Sequence, residues 1–260
     1  MPTIKKANFL KRISAWLLDF ILVVILATGF ASVVSRIVGY DKQVQLLETY
    51  YTKYEQEYLT SYGFDSITQE DYERLTPEQQ SIYQDQTSKM EKAMQQDAEV
   101  LAVYEQLFNL SLVIVSTSLL LATLSVYFVV PLFFKDGQTL GKKVFNLALV
   151  HSNCVKVTPK VVFIRTLFGI YAIETMFPVF LVIMMYFKVL VGAVGLITLF
   201  LMVLLELGVL IFTSTNSCIH DLLSDTVVVE FSTQEIFKTV DELNERIKAE
   251  QAKEAAEAAY

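Results

Sequence analysis

Four charged residues lie inside long apolar stretches of this sequence, and their chemistry would be the most consequential if those stretches cross a membrane. They are one aspartate, one arginine and two glutamates: Asp19, Arg165, Glu174 and Glu206. A charged side chain at the centre of a membrane helix costs roughly 2.5–3.5 kcal/mol on insertion scales, so such residues usually pair with one another or mark an ion pathway. These four, with Arg12 just ahead of the first stretch, are the candidate site residues.

Helical geometry predicts which of these charges can meet. Asp19 follows Arg12 by two turns on the same helical face, because seven residues return almost to the same angle. Arg165 begins its apolar stretch, and Glu206 lies in the second half of a stretch that runs in the opposite direction. The predicted cluster near one membrane face therefore consists of Arg12, Asp19, Arg165 and Glu206.

Glu174 lies nine residues beyond Arg165, deeper in the membrane and on the opposite helical face. We expect it to meet a polar group of the second apolar stretch. The candidates there are Ser116, Thr117, Ser118 and Thr123. An acid without a counter-charge in that environment binds a proton reversibly, which is the property a proton-coupled carrier needs. The alternative is that these charges form fixed pairs that hold the helices together.

Four apolar runs are long enough to position these residues inside a membrane. They cover residues 16–38, 107–134, 161–187 and 189–212, and about 20 helical residues cross a bilayer core. The chain is 53% hydrophobic with a mean hydropathy of +0.44. This predicts an all-α polytopic membrane protein with about four transmembrane helices. The third run is the weakest because it contains Arg165, Glu174 and Pro178, and an interfacial or re-entrant segment is the alternative there.

The distribution of lysine and arginine predicts the orientation. The N-terminal tail has four of them and residues 135–160 have five, whereas the turn between the last two spans has only Lys188. Positive charges favour the cytoplasmic side, so both termini are expected there. Residues 39–106 carry 14 acidic against five basic residues and are expected outside, as an acidic helical hairpin. Its second helix is predicted to begin at Thr76, followed by Pro77 and Gln79, and to continue without a break into the second span.

The predicted organisation follows from these spans. Residues 1–38 are the N-terminus and first span, 39–106 the outer hairpin, and 107–230 the other spans with a cytoplasmic loop at 135–160 and a closing segment at 213–230. The loop is predicted to make a tight turn and then an amphipathic stretch at the lipid headgroups. Residues 231–260 are predicted to form a cytoplasmic amphipathic helix and tail, capped by Ser232 and Glu235. Its apolar stripe would be Ile236, Val240, Leu243 and Ile247.

Enzyme signatures are missing from the sequence. His151 and His220 are not in a His-Glu-x-x-His arrangement, and no Gly-x-Ser-x-Gly, phosphate-binding glycine loop or Cys-x-x-Cys is present. Cys154 and Cys218 have no metal-binding spacing. We expect no catalytic residue, no cofactor and no metal site. The net charge of −7 disfavours nucleic acid as a partner.

Four short motifs, in order, resemble those of the RDD family of bacterial membrane proteins, which is named for one arginine and two aspartates. Residues 11–19 resemble the first-helix motif with Arg12 and Asp19, and residues 163–167 match the arginine of a later helix. Residues 137–143 are similar to the inner-loop motif, and 220–229 to the closing motif with the second aspartate. The loop and closing residues concerned are Gly137, Gln138, Gly141, Lys142, His220 and Asp221.

The resemblance covers about residues 9–230, apart from the outer hairpin, and has two departures. Asp225 stands where the family often has glycine, and Leu222 where a basic residue is common. Transport has been proposed for the family, and sodium/proton exchange has been attributed to some members.

The leading interpretation is therefore transport of small cations or protons across a bacterial cytoplasmic membrane. Asp19 and Glu174 would be the Na⁺ or H⁺ sites, and Arg12 and Arg165 their charge partners. The alternative is a non-catalytic accessory or scaffold subunit that binds protein partners through the outer hairpin and C-terminal helix. Four spans make a small pathway, so a carrier of this size would require a homo-oligomer or other protein partners.

Overall fold

The computed structural model describes residues 4–64, 67–134, 136–187 and 192–258. Lys135 and Lys188, which entered the orientation argument, and the first residues of the fourth predicted span, 189–191, lie outside the described residues. The described chain is mostly helical and contains one two-stranded sheet. The chain divides into two compact units, Ala31–Val115 and a second made of Met1–Phe30 with Ser116–Tyr260.

The elements follow in chain order. The first six helices are α1 (Phe9–Ile37), α2 (Tyr40–Tyr58), α3 (Gln69–Arg74), α4 (Pro77–Gln96), α5 (Ala98–Leu124) and α6 (Val130–Phe133). Then come α7 (Leu140–Val144), β1 (Leu147–His151), α8 (Pro159–Ile164), α9 (Phe177–Phe187), α10 (Gly192–Phe212), α11 (Ile219–Leu223), β2 (Thr226–Glu230) and α12 (Val240–Ala258). A 3₁₀ turn covers Thr60–Tyr62, and π-helical segments cover Ser125–Val129 and Arg165–Glu174.

Among the described residues, three helical stretches are long and apolar enough to cross a membrane: Phe9–Ile37, Ala98–Phe133 and Val194–Phe212. A fourth span results if the pair Pro159–Glu174 and Pro178–Met184, bent by 50°, is counted as one. This confirms a polytopic helical membrane protein. The third predicted span is therefore a bent helix pair, which is either a broken span or the re-entrant segment named as the alternative. Pro178 lacks the N–H that a continuous helix would use, and the π-helical segment before it widens the turns.

The unit Ala31–Val115 has its own core, built where α2 and α4 pack together. Its buried residues are Tyr54, Leu59, Phe64, Met90, Met94 and Val100. The predicted start of α4 is confirmed, because the Thr76 hydroxyl accepts from the Gln79 amide and the Gln79 side chain accepts from the Thr76 amide.

The expected continuous helix into the second span is wrong, because Asp97 interrupts it between α4 and α5. Its carboxylate accepts hydrogen bonds from the Tyr54 hydroxyl at 2.7 Å and the Glu99 amide at 2.8 Å. A short acidic side chain bonded to nearby backbone in this way competes with the helical hydrogen-bond ladder.

In the other unit, β1 and β2 pair antiparallel, from Leu147 opposite Glu230 to His151 opposite Thr226. The predicted amphipathic stretch at the headgroups is therefore wrong for this segment. The alternating side chains of residues 147–151 belong to a strand with both faces against apolar clusters. Leu147 and Leu149 lie in one cluster, and Ala148 and Val150 in the other. Four of the five residues in each strand are buried.

The C-terminal helix begins later than predicted, at Val240 and not after Ser232. The actual cap is formed by Thr239, whose hydroxyl accepts from the Glu242 amide at 3.2 Å, while the Glu242 carboxylate accepts from the Lys238 amide at 2.7 Å. The residues between β2 and this cap pack against the sheet, which prevents an earlier helix start.

The predicted apolar stripe on this helix is only partly correct. Leu243 is buried beside Phe237, and Ile247 packs against the same cluster. Ile236 precedes the helix and packs on the sheet, whereas Val240 is 53% exposed.

Candidate functional site

Asp221, on the short helix α11, is fully buried between two arginines. Arg12 Nη2 lies 2.5 Å from Asp221 Oδ2, and Arg165 donates to Oδ1 from Nη2 at 2.8 Å and Nε at 3.2 Å. We call these three residues the arginine–aspartate cluster. Burial opposes ionisation, but the neighbouring His220, Arg165 and Arg12 hold the pKa of Asp221 well below its usual range.

The sheet and the N-terminal segment bring Arg12 to this position. The Ala7 amide donates to the Val228 carbonyl at 3.3 Å, and Lys6 forms a bridge with Val229, so the start of the chain lies along β2. Because β2 directly follows α11, α1 begins beside Asp221. Arg12 and Asp221 meet because the N-terminal segment lies along β2, which pairs with β1.

Asp19 takes a different role from the one predicted. Its carboxylate accepts from the Thr139 hydroxyl at 2.5 Å and from the Gly141 amide at 2.8 Å, at the N-terminus of α7. The expectation that it joins the arginines is wrong, because both oxygens are used to hold the inner loop against α1. Gly141 is required for this approach, since a Cβ there would lie 2.2 Å from the Ala15 carbonyl oxygen.

The other inner-loop residues shape the turn around that contact. Gly137 has φ +59°, and the Gln138 side-chain amide donates to the Leu147 carbonyl at 2.6 Å. Lys142 is buried, with Nζ 5.7 Å from the centre of the Tyr127 ring. Burial, and then the positive charge of Arg165, lower the pKa of Lys142 to about 8.

Glu174 and Glu206 converge on His220. The His220 ring Nδ1 is in close contact with Glu174 Oε1, and the His220 backbone amide donates to the same oxygen at 3.2 Å. Glu206 Oε1 lies 4.0 Å from Nδ1 and accepts from the Ile219 amide at 3.2 Å. We call Glu174, Glu206, His220 and the adjacent Cys218 the glutamate–histidine cluster.

The predicted partner of Glu174 in the second span is wrong because α11 folds back against the π-helical segment of the third. Gly169 makes this possible: a Cβ there would lie 2.6 Å from His220 Cβ and 3.0 Å from His220 Cα. Gly169 was missed by the sequence reasoning, although it is the one glycine of residues 161–187 and so was a readable signal.

Cys218 was named in the sequence but given no role, because it has no metal-binding spacing with Cys154. One ligand atom each from Glu206, Cys218 and His220 lie within 4.8 Å of one another. Arg12 Nη2 lies 3.5 Å from Cys218 Sγ, and burial, followed by the charge of Asp221, raises the pKa of the thiol. Because Glu206 is 12 residues before Cys218 on another element, no local spacing reveals this group.

The predicted charges thus separate into three groups. Arg12 and Arg165 meet at Asp221, Asp19 caps the inner loop, and Glu174 and Glu206 meet at His220. All the motif residues quoted above lie in this part of the fold.

Comparison with known proteins gives one match. The sequence model of the RDD family matches residues 6–225, which is most of the chain and contains the first three motifs and residues 220–225 of the closing one. No curated protein and no solved structure matches. The arginines and aspartates of the motifs, Arg12, Arg165, Asp19 and Asp221, are all buried. The match over this length shows that the chain belongs to the RDD family.

Proposed function

We propose that this RDD family protein moves small cations or protons across the membrane, with Glu174 and Glu206 as the carboxylates that bind the ion. One observation carries the proposal: two acids from different predicted spans converge on a single histidine, His220. Asp19, the other predicted ion site, is bound to Thr139 and Gly141 of the inner loop, whereas Glu206 faces His220, so Glu206 takes its place in the proposal.

The balance of charge distinguishes this group from its neighbour. Asp221 has two arginines bound to its two oxygens, so its negative charge is more than compensated. Glu174 and Glu206 share one histidine, so two carboxylates in a largely buried place are short of positive charge. Two half-buried acids that face one histidine favour a cation or a proton between them.

The depth of the group supports a pathway. Glu206 precedes the end of α10 at Phe212 by six residues, or about 9 Å of helix. Glu174 ends the π-helical segment where the third span bends, and Met176 in the bend has φ +53°. Broken helices and π-helical turns are frequent at ion and substrate sites, because irregular backbone within a membrane is tolerated where it lines such a site.

The proposal includes the setting in which transport would occur. It places the protein in the bacterial cytoplasmic membrane with both termini in the cytoplasm, as the lysine and arginine distribution predicts. It also includes exchange of the cation for protons, which the family resemblance implies. A homo-oligomer or protein partners would complete a pathway that up to four spans do not make alone.

The test is ion flux into proteoliposomes that contain the full chain. Flux of Na⁺, and of protons by an enclosed pH-sensitive dye, is expected for the parent and is expected to fall to the protein-free level in Glu174→Gln and Glu206→Gln. The matched control is Glu245→Gln on α12, an exposed position that should keep parental flux. A parent without flux, or variants as active as the parent, would contradict the proposal.

A second candidate is the accessory or scaffold subunit, which the separate core of Ala31–Val115 favours. A unit that buries its own apolar residues can fold as a docking platform. Replacing residues 39–106 by a short linker should then remove co-purifying proteins. An unchanged set of co-purifying proteins would count against this reading.

A further inference from the structure

The glutamate–histidine cluster contains a third kind of ligand atom, the sulfur of Cys218. We infer that Cys218, His220 and Glu206, with Glu174, form a binding site for a divalent transition-metal ion of the zinc class. This rests on the proposed function in that the same carboxylates bind an ion, and it adds a more tightly held class of cation to the Na⁺ and protons of that proposal. The binding itself does not require transport.

The spacing of the ligand atoms is close to that of a tetrahedral site. Metal–ligand distances of about 2.0–2.3 Å for zinc place neighbouring ligand atoms about 3.3–3.8 Å apart. The candidate atoms of Glu206, Cys218 and His220 lie within 4.8 Å of one another, and Glu206 Oε1 is 4.0 Å from His220 Nδ1. A contraction of about 1 Å, within the reach of glutamate side-chain rotation, brings them to that range.

Glu174 supplies the fourth ligand. Its Oε1 contacts His220 Nδ1, so an ion that inserts between these two atoms gains a carboxylate oxygen and an imidazole nitrogen together. On binding, Cys218 releases its thiol proton to solvent, so two glutamates and one thiolate face the divalent ion, and Arg12, whose Nη2 lies 3.5 Å from Cys218 Sγ, balances the third negative charge. The set becomes one sulfur, one nitrogen and two carboxylate ligands.

The types of ligand select the class of ion. Sodium, magnesium and calcium prefer oxygen ligands, whereas sulfur and imidazole nitrogen together are typical of zinc and similar borderline ions. Cys218 therefore distinguishes this group from an acidic site for hard cations.

Asp221 orients the histidine for this purpose. Its Oδ1 lies 3.4 Å from His220 Nε2, on the side of the ring opposite Nδ1, and is itself bound to Arg165. Metal-binding histidines usually direct their other ring nitrogen at a carboxylate, which sets the ring orientation and the tautomer. The arginine–aspartate cluster thus presents Nδ1 to Glu174 and Glu206.

The test measures metal binding by the purified full chain in detergent after treatment with a chelator. Zn²⁺ is titrated in competition with a colorimetric chelator, and Co²⁺ is added separately to record the absorption band of a cobalt–thiolate bond. We expect one Zn²⁺ per chain, a thiolate band with Co²⁺, and no displacement by excess Na⁺ or Mg²⁺. No Zn²⁺ binding, or displacement by Na⁺ or Mg²⁺, would overturn the inference.

The decisive variant is Cys218→Ser, with Cys154→Ser as its matched control. Cys154 is buried beside Phe237, away from the cluster, so its variant should bind as the parent does. Cys218→Ser should lose the thiolate band and weaken Zn²⁺ binding by at least the roughly 10–100-fold that even an outer partner of a metal ligand typically contributes. Equal binding in Cys218→Ser and the parent would overturn the site.

A second variant keeps the test valid if Cys218→Ser does not give monodisperse protein on gel filtration. Glu206→Gln should weaken Zn²⁺ binding while retaining the thiolate band, and parental affinity in this variant would overturn the site.

Failure of transport can be distinguished from failure of metal binding. Zn²⁺ binding without any ion flux contradicts only the proposed function, whereas Na⁺ flux without Zn²⁺ binding contradicts only the metal site.

Discussion

The arginine–aspartate cluster and the glutamate–histidine cluster are consecutive in the chain at Asp221 and His220, yet their charges are balanced in opposite ways. In the first, two arginines surround one acid, and both acid oxygens receive hydrogen bonds at 2.5–3.2 Å. In the second, two acids share one histidine. The first therefore has a surplus of positive charge and fixed partners, and the second has a deficit that an ion can fill.

The difference shows that the role of a charged residue within a membrane protein depends on the groups that contact it. Asp19 and Glu174 look equivalent in the sequence, as single acids in apolar stretches. Asp19 is 1% exposed and bonded to the loop backbone and a hydroxyl, whereas Glu174 faces a titratable histidine and a second acid. The first holds elements together, and the second is available for binding.

The largest effect is expected from breaking the arginine–aspartate cluster with Asp221→Asn. Loss of the acid leaves Arg12 and Arg165 buried without a counter-charge, and removing one partner of a buried ion pair typically costs about 3–5 kcal/mol. The free energy of unfolding in detergent should fall accordingly, and Zn²⁺ binding should be lost with the position of His220. Asp225→Asn is the control, because that side chain is exposed and asparagine tolerates its φ of +51°. An equal fall in the free energy of unfolding in both variants would contradict the role of Asp221 as the counter-charge of the two arginines.

An intermediate effect is expected from Gly169→Ala, which acts on the contact between α11 and the third span. The added methyl would lie 2.6 Å from His220 Cβ, and overpacking of this kind costs about 1–3 kcal/mol. Thermal unfolding should occur at lower temperature, and His220 should move from Glu174. Gly208→Ala is the matched control, since a Cβ there has no neighbour within 4 Å. Unchanged stability in Gly169→Ala would argue against close packing of α11 on this segment.

The smallest effect is expected from Lys142→Met, which removes further positive charge near Arg165. The pKa of Lys142 is lowered to about 8, so below pH 8 the folded protein holds a charged amine that burial disfavours. As the pH rises from about 8 to 10.5 the folded amine loses its proton while the unfolded one retains it, and this cost disappears. The variant should therefore be more stable than the parent at pH 7, with the difference shrinking towards pH 10.5. The variant also loses the contact of the amine with the Tyr127 ring, which offsets part of this gain.

Thermal unfolding at pH 7 and at about pH 9.5, between the folded and unfolded pKa values, measures this difference. Lys143→Met is the control, since Lys143 is the next residue in the chain and is exposed. A stability difference for Lys142→Met that is independent of pH would contradict a buried charged amine.

Much of the fold was predictable from the sequence, because its signals are local. A run of about 20 apolar residues spans a membrane whatever its neighbours are, so the first, second and fourth spans are readable directly. The cap at Thr76 uses residues within three positions. The motif glycines were readable as part of a turn, although the close approach of Gly141 to the Ala15 carbonyl was not.

Other features depended on segments far apart in the chain. The alternation in residues 147–151 fits a surface strand or a buried one, and only pairing with β2 makes it buried. Asp97 broke a helix because Tyr54, 43 residues away, was there to donate to it.

The sequence by itself determined that this is a membrane protein, which residues carry charge within its spans, and which motifs it shares with the RDD family. Tertiary structure decided which charge meets which: Asp19 pairs with a residue 120 positions later, and Arg12 with one 209 positions later. The physical reason is the range of the forces involved. Burial of an apolar segment depends on that segment's own composition, whereas a buried charge is stabilised only by groups within a few ångströms, and those are set by how distant elements pack.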